Sequence, residues 1–154
     1  LVCGKPASQG GGAGAMKALW PGLEVLRYSE LPPGGFACSG KGGSYRIYPA
    51  REEPNRTDSN RAPAVLWQGP NRRVLYVGDA SVDTFLSIPE QERHADTIVL
   101  GRHPTQPLFE PGLLRATGAK RIILLPHAQF PLNPQDVEPD AQLIRLSGTG
   151  MVPL

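Results

Sequence analysis

Apolar and polar positions change their rhythm near residue 64. Before that point, apolar residues come in short groups separated by glycine, proline and charge. LEVLRY (23–28) alternates and predicts a strand, and YRIYP (45–49) predicts a short strand ended by Pro49. Between them, ELPPGGFACSGKGGS (30–44) predicts a loop, and AREEPNRTDSNRAP (50–63) predicts a second, polar loop. Residues 1–22 predict a flexible Gly-rich lead-in, in which MKALW can form one short helical turn.

After residue 64 the apolar runs lengthen. AVLWQ (64–68) and RVLYVG (73–78), joined by a Gly-Pro-Asn turn, predict a hairpin. SVDTFLS (81–87) places Val82, Phe85 and Leu86 at helical spacing, with Ser81 as the cap. ADTIVLG (95–101) is a continuous apolar run rich in β-branched residues, the pattern of a strand covered on both faces, and KRIILLP (120–126) repeats it. LFEPGLLRATG (108–118) predicts a helix ending at Gly118, while AQLIRLS (141–147) and MVPL (151–154) predict a closing hairpin. The order β-β-β-β-α-β-α-β-β-β, with no internal repeat, predicts an α/β fold built on a mixed sheet with flanking helices. The domain itself is expected over residues 23–154.

Composition adds mainly exclusions. The 154 residues suit one domain with a sizeable core, and the net charge of +2 contains no block of one sign. No run approaches the ~18 apolar residues of a membrane helix. The start has neither a basic nor an apolar signal region, and its opening on Leu instead of Met is the pattern of a processed or excised piece. Cys3 and Cys38 can pair in an oxidising compartment or remain two thiols, and spacing does not choose between them.

Candidate chemistry gathers after the apolar strands. Asp79 follows one directly and precedes a helix, so it is either an N-cap or Asx-turn residue or a metal-ligating carboxylate at a strand end. His103 lies just past the next such strand; if the two strands are neighbours, both residues emerge at one edge. His94 reads as a residue of a solvated loop, and His127 as a spectator that could reach the same edge. With three scattered histidines and no H-x-H or H-x-x-x-H pair, the chain does not hold a complete two-metal site. Gly35, Gly40 and Lys41 have phosphate-loop spacing, but Gly42 stands where Ser or Thr is needed and no helix is expected next. Arg51, Arg56, Arg61, Arg72 and Arg73 are candidates for nucleic acid, yet Glu52, Glu53 and Asp58 are interleaved and favour a solvated loop. Asn55-Arg56-Thr57 is a formal glycosylation triplet.

The series SNRAPAVLWQGPNRRVLYVGDAS, a helix, then HADTIVLGRHPT resembles the second half of a metallo-β-lactamase fold. The particular branch it resembles is the hydrolase-like domain of ComEC-type DNA-internalisation competence proteins. The resemblance covers about residues 58–154 and, more faintly, 20–50. It implies half of an αββα sandwich, in which the Gly-Asp aspartate, here Asp79, bridges two metal ions, zinc or another divalent transition metal. The family's His-His-Gly-Ser turn corresponds to Arg102-His103-Pro104-Thr105, so His103 is the surviving candidate ligand and Arg102 replaces a histidine. The family's first motif, His-x-His-x-Asp-His, does not occur in the chain.

The resemblance thus implies one of two functions. The chain is the C-terminal portion of a hydrolase domain acting on the phosphodiesters of DNA during uptake, completed by a missing first half. Alternatively, it is a degenerate, non-catalytic binding or scaffolding module with Arg102 as a phosphate or nucleic-acid contact. Either is expected in a bacterium, as a soluble domain attached to a membrane-embedded portion of the same protein. A third expectation is an unrelated small α/β domain in which Asp79 is a cap.

Overall fold

The computed structural model describes residues 2–3, 26–27, 31–51, 62–101, 112–126, 132 and 134–147. Nine strands occur among them: β1 (Val2–Cys3), β2 (Leu26–Arg27), β3 (Phe36–Gly40), β4 (Gly43–Tyr48), β5 (Ala64–Gln68), β6 (Arg73–Gly78), β7 (Thr97–Leu100), β8 (Arg121–Leu124) and β9 (Gln142–Arg145). β1 and β2 form a parallel pair of their own, so Val2–Cys3, in the expected lead-in, takes extended structure. The other strands build one seven-stranded sheet in sequence order, antiparallel from β3 to β6 and parallel from β6 to β9.

The predicted hairpin of 64–68 and 73–78 forms as β5 and β6, and the two apolar runs after it become β7 and β8. All of Thr97–Leu100 is buried, which is why that run shows no alternation. On one face, Leu66, Leu75, Val77, Ile98, Leu100, Ile122 and Leu124 pack with Phe85, Ile88 and Leu114. On the other, Val74, Val99 and Ile123 form a second apolar row with Trp67, Leu125, Ile144 and Leu146. Helices are sparse among the described residues: α1 (Val82–Leu86), α2 (Glu90–Arg93) and short 3-10 turns.

Two expectations are corrected, and a third is not tested. Residues 36–40, read as loop, form β3 and turn through Lys41–Gly42 into β4. Ala37 to Gly40 are exposed on both faces, so backbone pairing holds the strand and leaves no apolar pattern to read. The helix expected over 108–118 is, among the described residues, a 3-10 turn at Arg115–Thr117; it does end at Gly118, at φ 67°. Strand β9 pairs with β8 in parallel, and its expected hairpin partner, 151–154, lies outside the described residues.

Polar contacts hold the helices on the sheet. Ser81 caps α1 as expected, its Oγ accepting from Thr84 N at 3.1 Å, a contact worth about 1 kcal/mol. The buried Thr84 hydroxyl lies 3.0 Å from Ser81 Oγ and accepts from Arg51 N at 2.9 Å, tying the strand exit after β4 to α1. Glu92 of α2 spans to β4: Arg46 Nη1 donates to Oε1 at 2.8 Å and the Tyr48 hydroxyl donates to Oε2.

Burial, then the hydrogen bond to Glu92 and its charge, push the Tyr48 phenol above its ordinary 10.0. A raised folded-state pKa contributes stability that is complete below the unfolded value and lost as pH climbs through the folded one. Urea denaturation against pH should therefore show stability falling above pH 10.0. Tyr48→Phe should flatten part of that fall and cost about 1–3 kcal/mol near neutrality, by leaving one Glu92 oxygen short of a donor.

Candidate functional site

Because β6 to β9 run parallel, their carboxyl ends share one sheet edge, where open α/β sheets place ligands. The exits are stitched in series. Gly101 N donates to Gly78 O at 3.0 Å, Leu125 N to Leu100 O at 2.8 Å, and Leu146 N to Leu124 O at 2.9 Å.

At the first exit the backbone is shaped locally. The β6–β7 register shifts between Tyr76 and Gly78, a bulge of the kind that re-aims the next side chain. Val77 O then accepts from Ala80 N at 2.9 Å, closing a four-residue turn with Gly78 and Asp79 at its centre. Gly78 has φ +54°, and a β-carbon there would stand 2.6 Å from Cε1 of Tyr76. Only glycine suits both the conformation and the ring lying over it.

Asp79 is exposed at the tip of this turn. The capping role it could have had belongs to Ser81, two residues later. Its charge is felt by Tyr76, whose phenol is pushed up first by burial and then by the Asp79 carboxylate.

The condition for convergence with His103 is met in the strands that precede both residues, since β6 and β7 are direct parallel neighbours. Arg102 and His103 themselves lie outside the described residues, as do His127, Arg56, Arg61 and Asn55. His94 is exposed and precedes β7, at the opposite edge. No group of three or more His, Cys, Asp or Glu side chains able to hold a metal occurs among the described residues. Asp79 is thus the one expected ligand that the described structure positions.

The remaining candidates separate. Of the residues with phosphate-loop spacing, Gly35 precedes β3, Gly40 ends it, and Lys41 lies in the turn to β4. Arg73 serves the fold: its Nη2 lies 3.5 Å from the carbonyls of Gln91 and Glu92 at the end of α2. Arg72 lines a hollow of about 320 Å³ with Asn71, Lys120, Arg121 and Gln142, at the edge opposite Asp79. Lys120 there is engaged by Asp140 at 2.6 Å.

Sequence reasoning passed over Asp96 as a positioning residue. Its Oδ2 accepts from Arg73 N at 2.7 Å and its carbonyl from Lys120 N and Arg121 N at 3.2 and 3.1 Å, aligning the starts of β6, β7 and β8. A lone acid before an apolar run was the available signal. Cys38 carries a free thiol. No described helix is long and apolar enough to cross a membrane. Comparison with protein-family models and with curated proteins finds no match.

Replacing Asp79 by Asn should lower the Tyr76 pKa toward the ordinary phenol value, because the carboxylate disfavours the phenolate. Ultraviolet pH titration against a Tyr76→Phe reference isolates the shift. A titration unchanged by Asp79→Asn would separate the two groups.

Proposed function

We propose that this chain is the second-half portion of a metallo-β-lactamase-like hydrolase domain of ComEC type, part of a bacterial membrane-attached protein that acts on DNA phosphodiesters during uptake. One observation supports the reading best. The Gly78-Asp79 turn and Gly101, which leads into Arg102-His103, are hydrogen-bonded neighbours at the exits of adjacent parallel strands. The resembled family has its Gly-Asp and histidine turns in the same order along the chain.

Asp79 fits the role of a metal donor in kind and in place. It is an exposed carboxylate at a bulged strand end, and the N-cap of α1 is supplied by Ser81. Asp79 and His103 would supply a carboxylate and an imidazole, donor types suited to zinc or a similar divalent ion. A metal held there would supply a hydroxide near neutral pH and charge stabilisation for a reacting phosphate. The chain's own residues hold and orient: Asp79 and His103 as donors, Arg102 as a planar cation able to take a phosphate bidentately. Two donors do not fix a dinuclear geometry, so turnover requires further ligands from another segment.

A second reading, the non-catalytic binding module, is favoured by Arg102 standing where the resembled turn has histidine.

Calorimetric titration of the full chain with Zn²⁺ distinguishes these readings. Donor roles predict weak binding that Asp79→Ala and His103→Ala each reduce by more than the ~10-fold cost of losing an outer-shell partner. The chain by itself should not hydrolyse bis(p-nitrophenyl) phosphate. Zinc binding indifferent to both substitutions would remove the metal reading and leave the binding module.

A further inference from the structure

Among the described residues, no strand pairs with the outer side of β3, the first strand of the seven-stranded sheet. Gly40 and Gly43 close the two-residue turn into β4, so they form a hydrogen-bonded pair, and alternation makes Cys38↔Tyr45 and Phe36↔Ile47 hydrogen-bonded pairs as well. The N–H and C=O groups of Ala37 and Ser39 therefore point away from β4. Both residues are exposed. Unpaired edges of this kind are ordinarily guarded by charge, proline, a bulge or a cover. Phe-Ala-Cys-Ser-Gly has no charge and no proline, and its pairing with β4 is regular.

We propose that this edge pairs with β3 of a second copy of the chain, antiparallel, about a two-fold axis through Cys38. The register follows from the strand. Ala37 and Ser39 flank Cys38 symmetrically, so Ala37 meets Ser39 of the second copy and exchanges two backbone hydrogen bonds with it, and the symmetric pair does the same. Phe36 then lies across from Gly40 of the second copy, an aromatic side chain covering an edge glycine. Cys38 meets Cys38 at a non-hydrogen-bonded site, where α-carbons stand about 4.5 Å apart.

Side chains favour the same arrangement. Cys38 is opposite Tyr45, which is opposite Trp67, and all three share one face. Tyr45 is 46% exposed. Pairing continues this row across the axis as Trp67–Tyr45–Cys38–Cys38–Tyr45–Trp67, covering apolar area that the single copy leaves to water. Lys41 falls opposite Gly35, so no like charges face each other. A closed two-fold pairing uses up the β3 edge of each copy and does not propagate through it.

The test uses the full chain carrying Cys3→Ser, by sedimentation and by residue-resolved amide exchange over a range of concentrations. The expected result is a reversible dimer in which the Ala37 and Ser39 amides gain protection with concentration. The Cys38 amide, bonded to Tyr45, should be protected throughout. Ser39→Pro removes an outward donor at a position an edge strand tolerates, and should abolish the dimer while the far-ultraviolet spectrum is kept. If that variant does not fold, Ser39→Lys supplies the missing edge charge and should have the same effect. Brief oxidation with diamide, which takes two electrons and two protons from a thiol pair, should link Cys38 to Cys38 and convert most of the protein to covalent dimer. A chain that stays monomeric at millimolar concentration overturns the proposal. So does a dimer indifferent to both Ser39 substitutions, or one in which the Ala37 and Ser39 amides exchange freely.

Discussion

The parallel pairing of β6 with β7 is the contact on which the rest of the molecule depends. β6 belongs to both halves of the sheet, antiparallel to β5 and parallel to β7. Its pairing is pinned at both ends: Asp96 holds the Arg73 amide at the start, and Gly78 accepts from Gly101 at the exit. A slip of one residue would turn Ile98 and Leu100 to the other face and break the core they share with Leu75 and Val77. The same register that buries these side chains brings the Gly-Asp turn beside the chain that leads to Arg102 and His103.

Where the sheet runs antiparallel, polar contacts extend the apolar core. Helix α2 has four residues, too few to be stable by local propensity. It is held by the Arg46 and Tyr48 bonds to Glu92 and by Arg73 at its last carbonyls. Helix α1 is held by Phe85 in the core and by the Ser81–Thr84 hydroxyl pair. Both helices are tied to β4 or the chain just after it, α1 through Thr84 and Arg51 and α2 through Glu92.

Some of this was legible in the sequence. The apolar runs of 64–68, 73–78, 97–100 and 121–124 announced their strands because each must bury at least one face. Ser81 announced the helix start because a hydroxyl before an amphipathic run satisfies an orphan amide. Strand β3 was hidden, since an exposed edge requires nothing of its side chains, and so was α2, whose reasons for existing are Arg46, Tyr48 and Arg73 far away in sequence. At the candidate site, Gly78-Asp79 could be noticed as a motif, but which residue caps α1 depended on which side chain reached Thr84 N.

The sequence by itself determined the buried strands, the glycine turn that ends β6 and the carboxylate placed within it, since hydrophobic period and backbone freedom are properties of a few adjacent residues. Only the tertiary structure decided that β6, β7 and β8 lie side by side in parallel, that Asp96 aligns their starts, that Tyr76 covers Gly78, and that β3 is the end strand of the sheet among the described residues. Those outcomes come from pairings between distant segments, where backbone hydrogen bonding and shared burial select one neighbour for each strand.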